Sequence, residues 1–170
     1  MFSVNDVVMY GTTGICRIAD IRPENFCGEE KLYYVLVPFS DRHARVYCPA
    51  EGSGISIRRL LSEEEIYTLI REMPDYDMEW IENKQLRRET YSSILRSGDQ
   101  RALAKLIRSL YCKREERYRS GKKFFQYDER VMRDAEKILY GEFAHVLHIT
   151  PGEVPSFINK VLENNIKSQA

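Results

Sequence analysis

The sequence predicts an α+β protein: a small N-terminal SH3- or Tudor-like β-barrel over residues 1–60, then a compact all-helical C-terminal domain over residues 61–170. Three observations predict it. The first sixty residues hold short runs rich in Val, Ile and Tyr, broken by turn residues and never by a helix-period segment. Composition changes at Leu60-Leu61-Ser62, and apolar residues then recur at helical spacing. Pro and Gly signals cut the remainder into helix-length pieces.

The strands fall at residues 4–10, 14–21, 31–39 and 44–48, with a fifth at 54–58. Gly11, Gly14, Pro23-Glu-Asn25, Gly28, Ser40-Asp41 and Pro49 separate them. A barrel this small leaves strand edges open to a partner's strand. Ser62 and Glu65 form a capping box, with Glu63 and Glu64 where a helix dipole favours anions. The first helix therefore runs 63–73 and buries Ile66, Leu69 and Ile70, until Pro74 ends it. A second helix is expected over 78–96, with Ile81, Tyr91, Ile94 and Leu95 as its apolar positions. Gly98 suits an αL C′ position and Asp99 the next N-cap. The third helix runs 100–119 on the stripe Ala102, Leu103, Leu106, Ile107 and Leu110. The fourth runs 128–147, capped by Asp128, with Val131, Ala135, Ile138, Leu139, Phe143 and Val146 inward. Thr150-Pro151-Gly152-Glu153 starts a short fifth helix holding Phe157, Ile158, Val161 and Leu162, and residues 167–170 are expected to fray.

Charge is neutral in total, 26 Lys+Arg against 26 Asp+Glu, but not in distribution. Residues 84–123 carry 13 Lys/Arg and 4 Asp/Glu; residues 62–82 carry 8 acidic residues and one Arg. Arg87, Arg88, Arg96, Arg101, Lys105 and Arg108 are expected along one surface that either tracks phosphates or is a solvated basic face. Trp80, the only tryptophan, is expected to start a helix, either packed in the core or exposed to wedge against bases.

Catalytic and metal constellations are not expected. The four cysteines, Cys16, Cys27, Cys48 and Cys112, form no CxxC pair and read as reduced, partly buried thiols of a cytosolic protein. His145 and His148 are spaced i,i+3 on a helix without a carboxylate frame. There is no GxSxG, P-loop or GxGxxG, and Gly52 and Gly54 read as a turn. No stretch reaches membrane-spanning length, and the N-terminus has neither the basic nor the long apolar region of a secretory signal. No enzyme, cofactor or metal is predicted.

In this order and spacing, several segments together carry a resemblance. They are Val4-Asn-Asp6-Val-Val-Met-Tyr10-Gly-Thr-Thr-Gly14-Ile15, Tyr34-Val-Leu36, Pro49, Ile57-Arg58, Ser97-Gly98-Asp99, the Leu106/Ile107/Leu110 stripe, and Asp128-Glu-Arg130 through Phe143-Ala144. The chain resembles the CarD/CdnL family of bacterial RNA polymerase-binding transcription regulators up to about Ile149, and its Trp80-Ile-Glu82 looks like the Firmicutes branch. The resemblance implies that a Tudor-like domain docks on the lobe of the polymerase β subunit. It also implies that the helical domain reaches promoter DNA at the upstream edge of the melted bubble, where a tryptophan wedges into the minor groove and changes open-complex lifetime. Carried over by position, the polymerase contact falls on Glu24, Arg45, Tyr47 and Pro49, and family arginines are replaced near Glu24 and Tyr47. The DNA contact falls on Trp80, Lys84, Arg87, Arg88, Arg101 and Lys105; counting back from Gly98, the family's tryptophan register meets Lys84, four residues after Trp80. A cytoplasmic monomer without membrane contact is expected. The alternatives are a stand-alone nucleic-acid-binding module and a non-enzymatic scaffold using the open barrel edge.

Overall fold

A computed structural model describes residues 1–26, 28–52 and 57–169; Cys27 and the Gly54 start of the expected fifth strand lie outside the described residues. The chain divides into two compact units, Met1–Leu60 and Leu61–Ala170.

Among the described residues, the first unit is a five-stranded antiparallel sheet: β1 (Val7–Tyr10), β2 (Gly14–Glu24), β3 (Lys31–Pro38), β4 (Val46–Pro49) and β5 (Ile57–Arg59) in the order β4-β3-β2-β1-β5. Alternation along each strand sends Val8, Tyr10, Cys16, Ile18, Tyr34, Leu36 and Cys48 into one apolar core, with Ile57 packed against it. The β2–β3 register shifts between Ile18 and Asp20, a bulge that increases local bend and twist. Ile18 and Leu36 are fully buried, each contributing roughly 2–3 kcal/mol of transfer free energy. The first strand starts at Val7 and not at residue 4, because Asn5 sits at φ +75° and breaks the extended run. The end strands β4 and β5 each pair on one side only among the described residues.

The second unit holds α1 (Glu63–Glu72), α2 (Lys84–Ser97), α3 (Gln100–Arg119), α4 (Gln126–Leu147) and α5 (Val154–Gln169). The Ser62 capping box forms on both sides, with Glu65 N–H donating to Ser62 Oγ (3.2 Å) and Ser62 N–H to Glu65 Oε2 (2.8 Å). Gly98 takes φ +63°, and Asp99 accepts from Ala102 N–H (2.7 Å) as the next cap. The core gathers Ile66, Leu69 and Ile70 of α1, Ala104 of α3, Leu139, Phe143 and Ala144 of α4, and Val154, Ile158 and Val161 of α5. No helix among the described residues is long and apolar enough to cross a membrane.

Four local expectations change. The second helix begins at Lys84, six residues later than expected, where Asn83 Oδ1 accepts from the N–H groups of Gln85 and Leu86 (both 3.0 Å). Residues 76–83 are irregular, and side chains take their carbonyls: Ser109 Oγ donates to Met78 O (3.2 Å) and Arg87 Nη1 to Ile81 O (2.9 Å). Trp80 therefore does not start a helix. The fourth helix begins at Gln126, so Asp128 is not its cap but a fully buried residue inside it. His148 lies just past that helix at φ +55°, so it does not share a helical face with His145. The fifth helix reaches Gln169, so residues 167–169, expected to fray, are helical.

Thr150 backbone N–H and hydroxyl both donate to Glu153 Oε2 (2.7 Å each) ahead of α5. These bonds hold the Glu153 carboxyl below the usual carboxylate range. Its folded pKa is thus below its unfolded one, so its contribution is complete above the ordinary value and is lost as pH falls through the lower folded value. Glu153→Gln should flatten this part of the acid limb when melting temperature is followed against pH; an unchanged limb would refute the link.

Candidate nucleic-acid and partner surfaces

The acidic and basic stretches of the helical unit fold against each other. Arg101 of α3 pairs with Glu72 at the end of α1 (3.0 Å). Lys105 lies over the Tyr76 ring (5.7 Å), and the Tyr76 hydroxyl donates to the same Glu72 (2.8 Å). A cleft of about 320 Å³ places Asp75, Asp77 and Glu116 beside Arg108 and Lys113. Much of the charge separation along the sequence is thereby cancelled in space. A phosphate chain approaching Arg101, Lys105 or Arg108 meets carboxylates as well as cations.

Trp80 borders that cleft and is half-buried. Its ring stacks on Phe125 at 6.2 Å and 17° between planes. The Arg87 guanidinium sits 4.6 Å from its centroid and Lys113 Nζ 5.2 Å; on Phe125, Arg117 approaches to 4.0 Å. The cluster joins the irregular segment, α2, α3 and the start of α4.

Arg87 is the residue furthest from expectation. It is 6% exposed and does not lie on the basic surface. Its Nε donates to Asp128 Oδ1 (3.2 Å) and its Nη1 to Ile81 O. It occupies the inward stripe of α2, one turn before the buried Tyr91. Burial pushes the Asp128 carboxyl above its ordinary range, while Arg87 and then Arg88 pull it down. Burial, with the Asp128 charge second, raises the Tyr91 phenol to about 12.

Of the six residues carried over for DNA, Lys84, Arg88 and Lys105 are exposed and make no salt bridge among the described residues; Lys105 is turned to the Tyr76 ring, and Lys84 and Arg88 are the two on α2. They are i and i+4 at the start of α2, one turn apart on one flank. Arg88 also lies over the Tyr127 ring (5.0 Å), which orients its guanidinium.

In the first unit, strand register brings three of the four expected partner residues onto one sheet face. Tyr47 is opposite Val35, which is in turn opposite Asp20, and Pro49 is opposite Tyr33, which is in turn opposite Arg22. Arg22 binds Glu24 (2.7 Å) and donates to the Tyr47 hydroxyl (3.1 Å). Phe26, 55% exposed, sits edge-on to both Tyr33 (5.1 Å) and Tyr47 (5.2 Å). Sequence reasoning missed Phe26 and Arg22; only the strand pairing brings them beside Tyr47. The fourth residue, Arg45, precedes β4 and borders a different concavity with Arg17 and Arg42.

Cys16 and Cys48 are buried thiols outside any disulfide, and burial raises Cys16 to about 11, which keeps it protonated near neutrality. Cys112 is an exposed thiol. No group of three or more His, Cys, Asp or Glu among the described residues could hold a metal ion.

A small antiparallel sheet with a polar-aromatic face and two end strands defines an interaction module. Residues 2–61 match the family model of the CarD-like/TRCF RID domain. The match covers the first unit and ends at Leu61, where the helical unit begins.

Proposed function

We propose that the chain is a non-enzymatic, cytoplasmic transcription regulator of the CarD/CdnL type, in its Firmicutes form. In this reading the first unit binds the polymerase β subunit and the helical unit contacts promoter DNA at the upstream edge of the bubble. It acts as a monomer, needs no cofactor and changes the lifetime of the open complex. The observation that carries it is the domain match at residues 2–61, joined to a helical unit with exposed cations at the start of α2.

The polymerase contact falls on the face of Glu24, Tyr47 and Pro49, with Arg45 beside it. For DNA, Lys84 and Arg88 are the leading contacts, since both are exposed, make no salt bridge among the described residues and stand one turn apart on one flank of α2. Arg101, Lys105 and Trp80 contribute less: Arg101 is paired with Glu72, Lys105 lies over Tyr76, whose hydroxyl is bonded to that same carboxylate, and Trp80 is stacked on Phe125. Two phosphate contacts give a salt slope of about −2, so binding to free DNA is weak. Polymerase binding supplies the local concentration that such a weak contact needs.

The test is an open-complex lifetime assay with purified polymerase, with and without the full chain, alongside capture of the β subunit. An unchanged lifetime would remove the promoter role, and failure to capture β would remove the polymerase contact. Lys84→Glu/Arg88→Glu should abolish the lifetime effect while leaving β capture intact. Both sites are exposed, so stability should move by no more than about 0.5 kcal/mol. A double variant that melts early, or keeps the full lifetime effect, would count against this assignment.

A further inference from the structure

We propose that the concavity bordered by Arg17, Val37, Pro38, Phe39, Arg42 and Arg45 is a docking site for an acidic peptide segment carrying one apolar anchor side chain. The concavity measures about 350 Å³, the scale of a large side chain. Its floor is apolar: Val37 and Pro38 end β3, and Phe39, 46% exposed, extends them. Three guanidinium groups form the rim. Arg17 stands opposite Val37 in the β2–β3 register, and Arg42 and Arg45 lie in the connection to β4.

No carboxylate lines this concavity among the described residues. Asp41, next to Arg42, turns inward on its own loop, where its Oδ1 accepts from the N–H groups of His43 (2.9 Å) and Ala44 (3.3 Å). That turn fixes the loop bearing the two arginines. Arg45 Nη1 is steadied by the carbonyls of Arg42 (3.0 Å) and Ala44 (2.9 Å), and Arg17 Nη1 by Asn5 Oδ1 (3.2 Å). Each guanidinium carries five N–H donors, so donors remain for a ligand. Arg42 has no side-chain partner among the described residues.

Three cations without an anion call for a negatively charged partner, and their forked donors suit carboxylates. A phosphate chain would use the rim and leave the exposed Phe39 floor in water. A buried apolar anchor ringed by charge-assisted bonds uses both. The site gives chemistry to the partner-binding role of this unit, and it rests on the polymerase reading only for which protein supplies the segment.

The full chain would be titrated into a short fluorescein-labelled peptide, one phenylalanine flanked by glutamates, with anisotropy as the readout. Saturable binding is expected, weakened about tenfold when glutamines replace the glutamates or alanine the phenylalanine. Phe39→Ala and Arg42→Glu should each weaken it by a similar factor, without loss of sheet signal in circular dichroism. The proposal is overturned by equal binding of the glutamine peptide, by stronger binding of oligothymidylate, or by no saturation up to about 1 mM. Capture of β in parallel separates the two readings. Peptide binding lost in Arg42→Glu with β capture retained leaves the docking site standing and removes the polymerase as its occupant. Capture of β without any peptide binding overturns the docking site and leaves the polymerase reading intact.

Discussion

Arg87→Ala is expected to destabilise the helical unit by about 3–5 kcal/mol, the cost of leaving one member of a buried ion pair alone. Asp128 is fully buried, its Oδ1 is held by Arg87, and its Oδ2 meets no hydrogen-bond donor among the described residues. Removing the guanidinium leaves the carboxylate without that donor and with only the weaker pull of the Arg88 charge, and frees the Ile81 carbonyl as well. A urea titration followed by helical circular dichroism reads the effect; a midpoint matching wild type would refute it. Replacing both members by apolar residues, Arg87→Met/Asp128→Leu, should restore most of the loss, since the pair costs desolvation to form. The pH sign is also fixed. Burial already raises the Asp128 pKa against the pull of Arg87, and the single variant raises it further. Its deficit should be full at neutral pH and shrink as pH falls through that raised value and the carboxyl takes up a proton.

What the sequence reveals here is what local chemistry decides. The Ser62–Glu65 box, the αL Gly98 and the Asp99 cap depend on residues within four positions of one another, and all three form as read. The strands follow for the same reason, since alternation and turn residues are local. Residues 76–83 do not, because their carbonyls are taken by Arg87 and Ser109, the latter 31 residues from its acceptor. The buried pair was half-legible. Tyr91 and Ile94 extended back one turn reach Arg87, and Val131 extended back three residues reaches Asp128. Two charges on inward stripes imply that the stripes meet, but each had been read as a surface or cap residue. Charge along the chain misled more seriously. A sequence dipole becomes a surface dipole only if its halves stay apart, and the Glu72–Arg101 pair brings them together. That Glu24, Tyr47 and Pro49 share one sheet face follows from the strand register, and Phe26 joins them only through its packing on Tyr33 and Tyr47.

Trp80→Ala is expected to cost about 2–3 kcal/mol, below the roughly 3–5 kcal/mol typical of a fully buried large aromatic, because this ring is half-buried. The loss combines packing against Phe125 with the attraction of Arg87 and Lys113 for the ring face, each such cation–π contact being worth about 0.5–2 kcal/mol. For a unit of this size each kcal/mol moves the midpoint by about 4–8 °C, so a fall of roughly 10–20 °C should appear in a thermal melt. Trp80→Phe keeps a flat apolar plate and should lose less than half as much. Because Trp80 is the only tryptophan, wild-type fluorescence reports directly on this cluster during unfolding. The outcome also decides what the ring does. A large stability loss, with the promoter effect restored on cooling below the variant's melting range, makes Trp80 a support for the α2 start that carries Lys84 and Arg88. Melting within about 1 °C of wild type, together with a shortened open-complex lifetime, would instead place the ring on DNA.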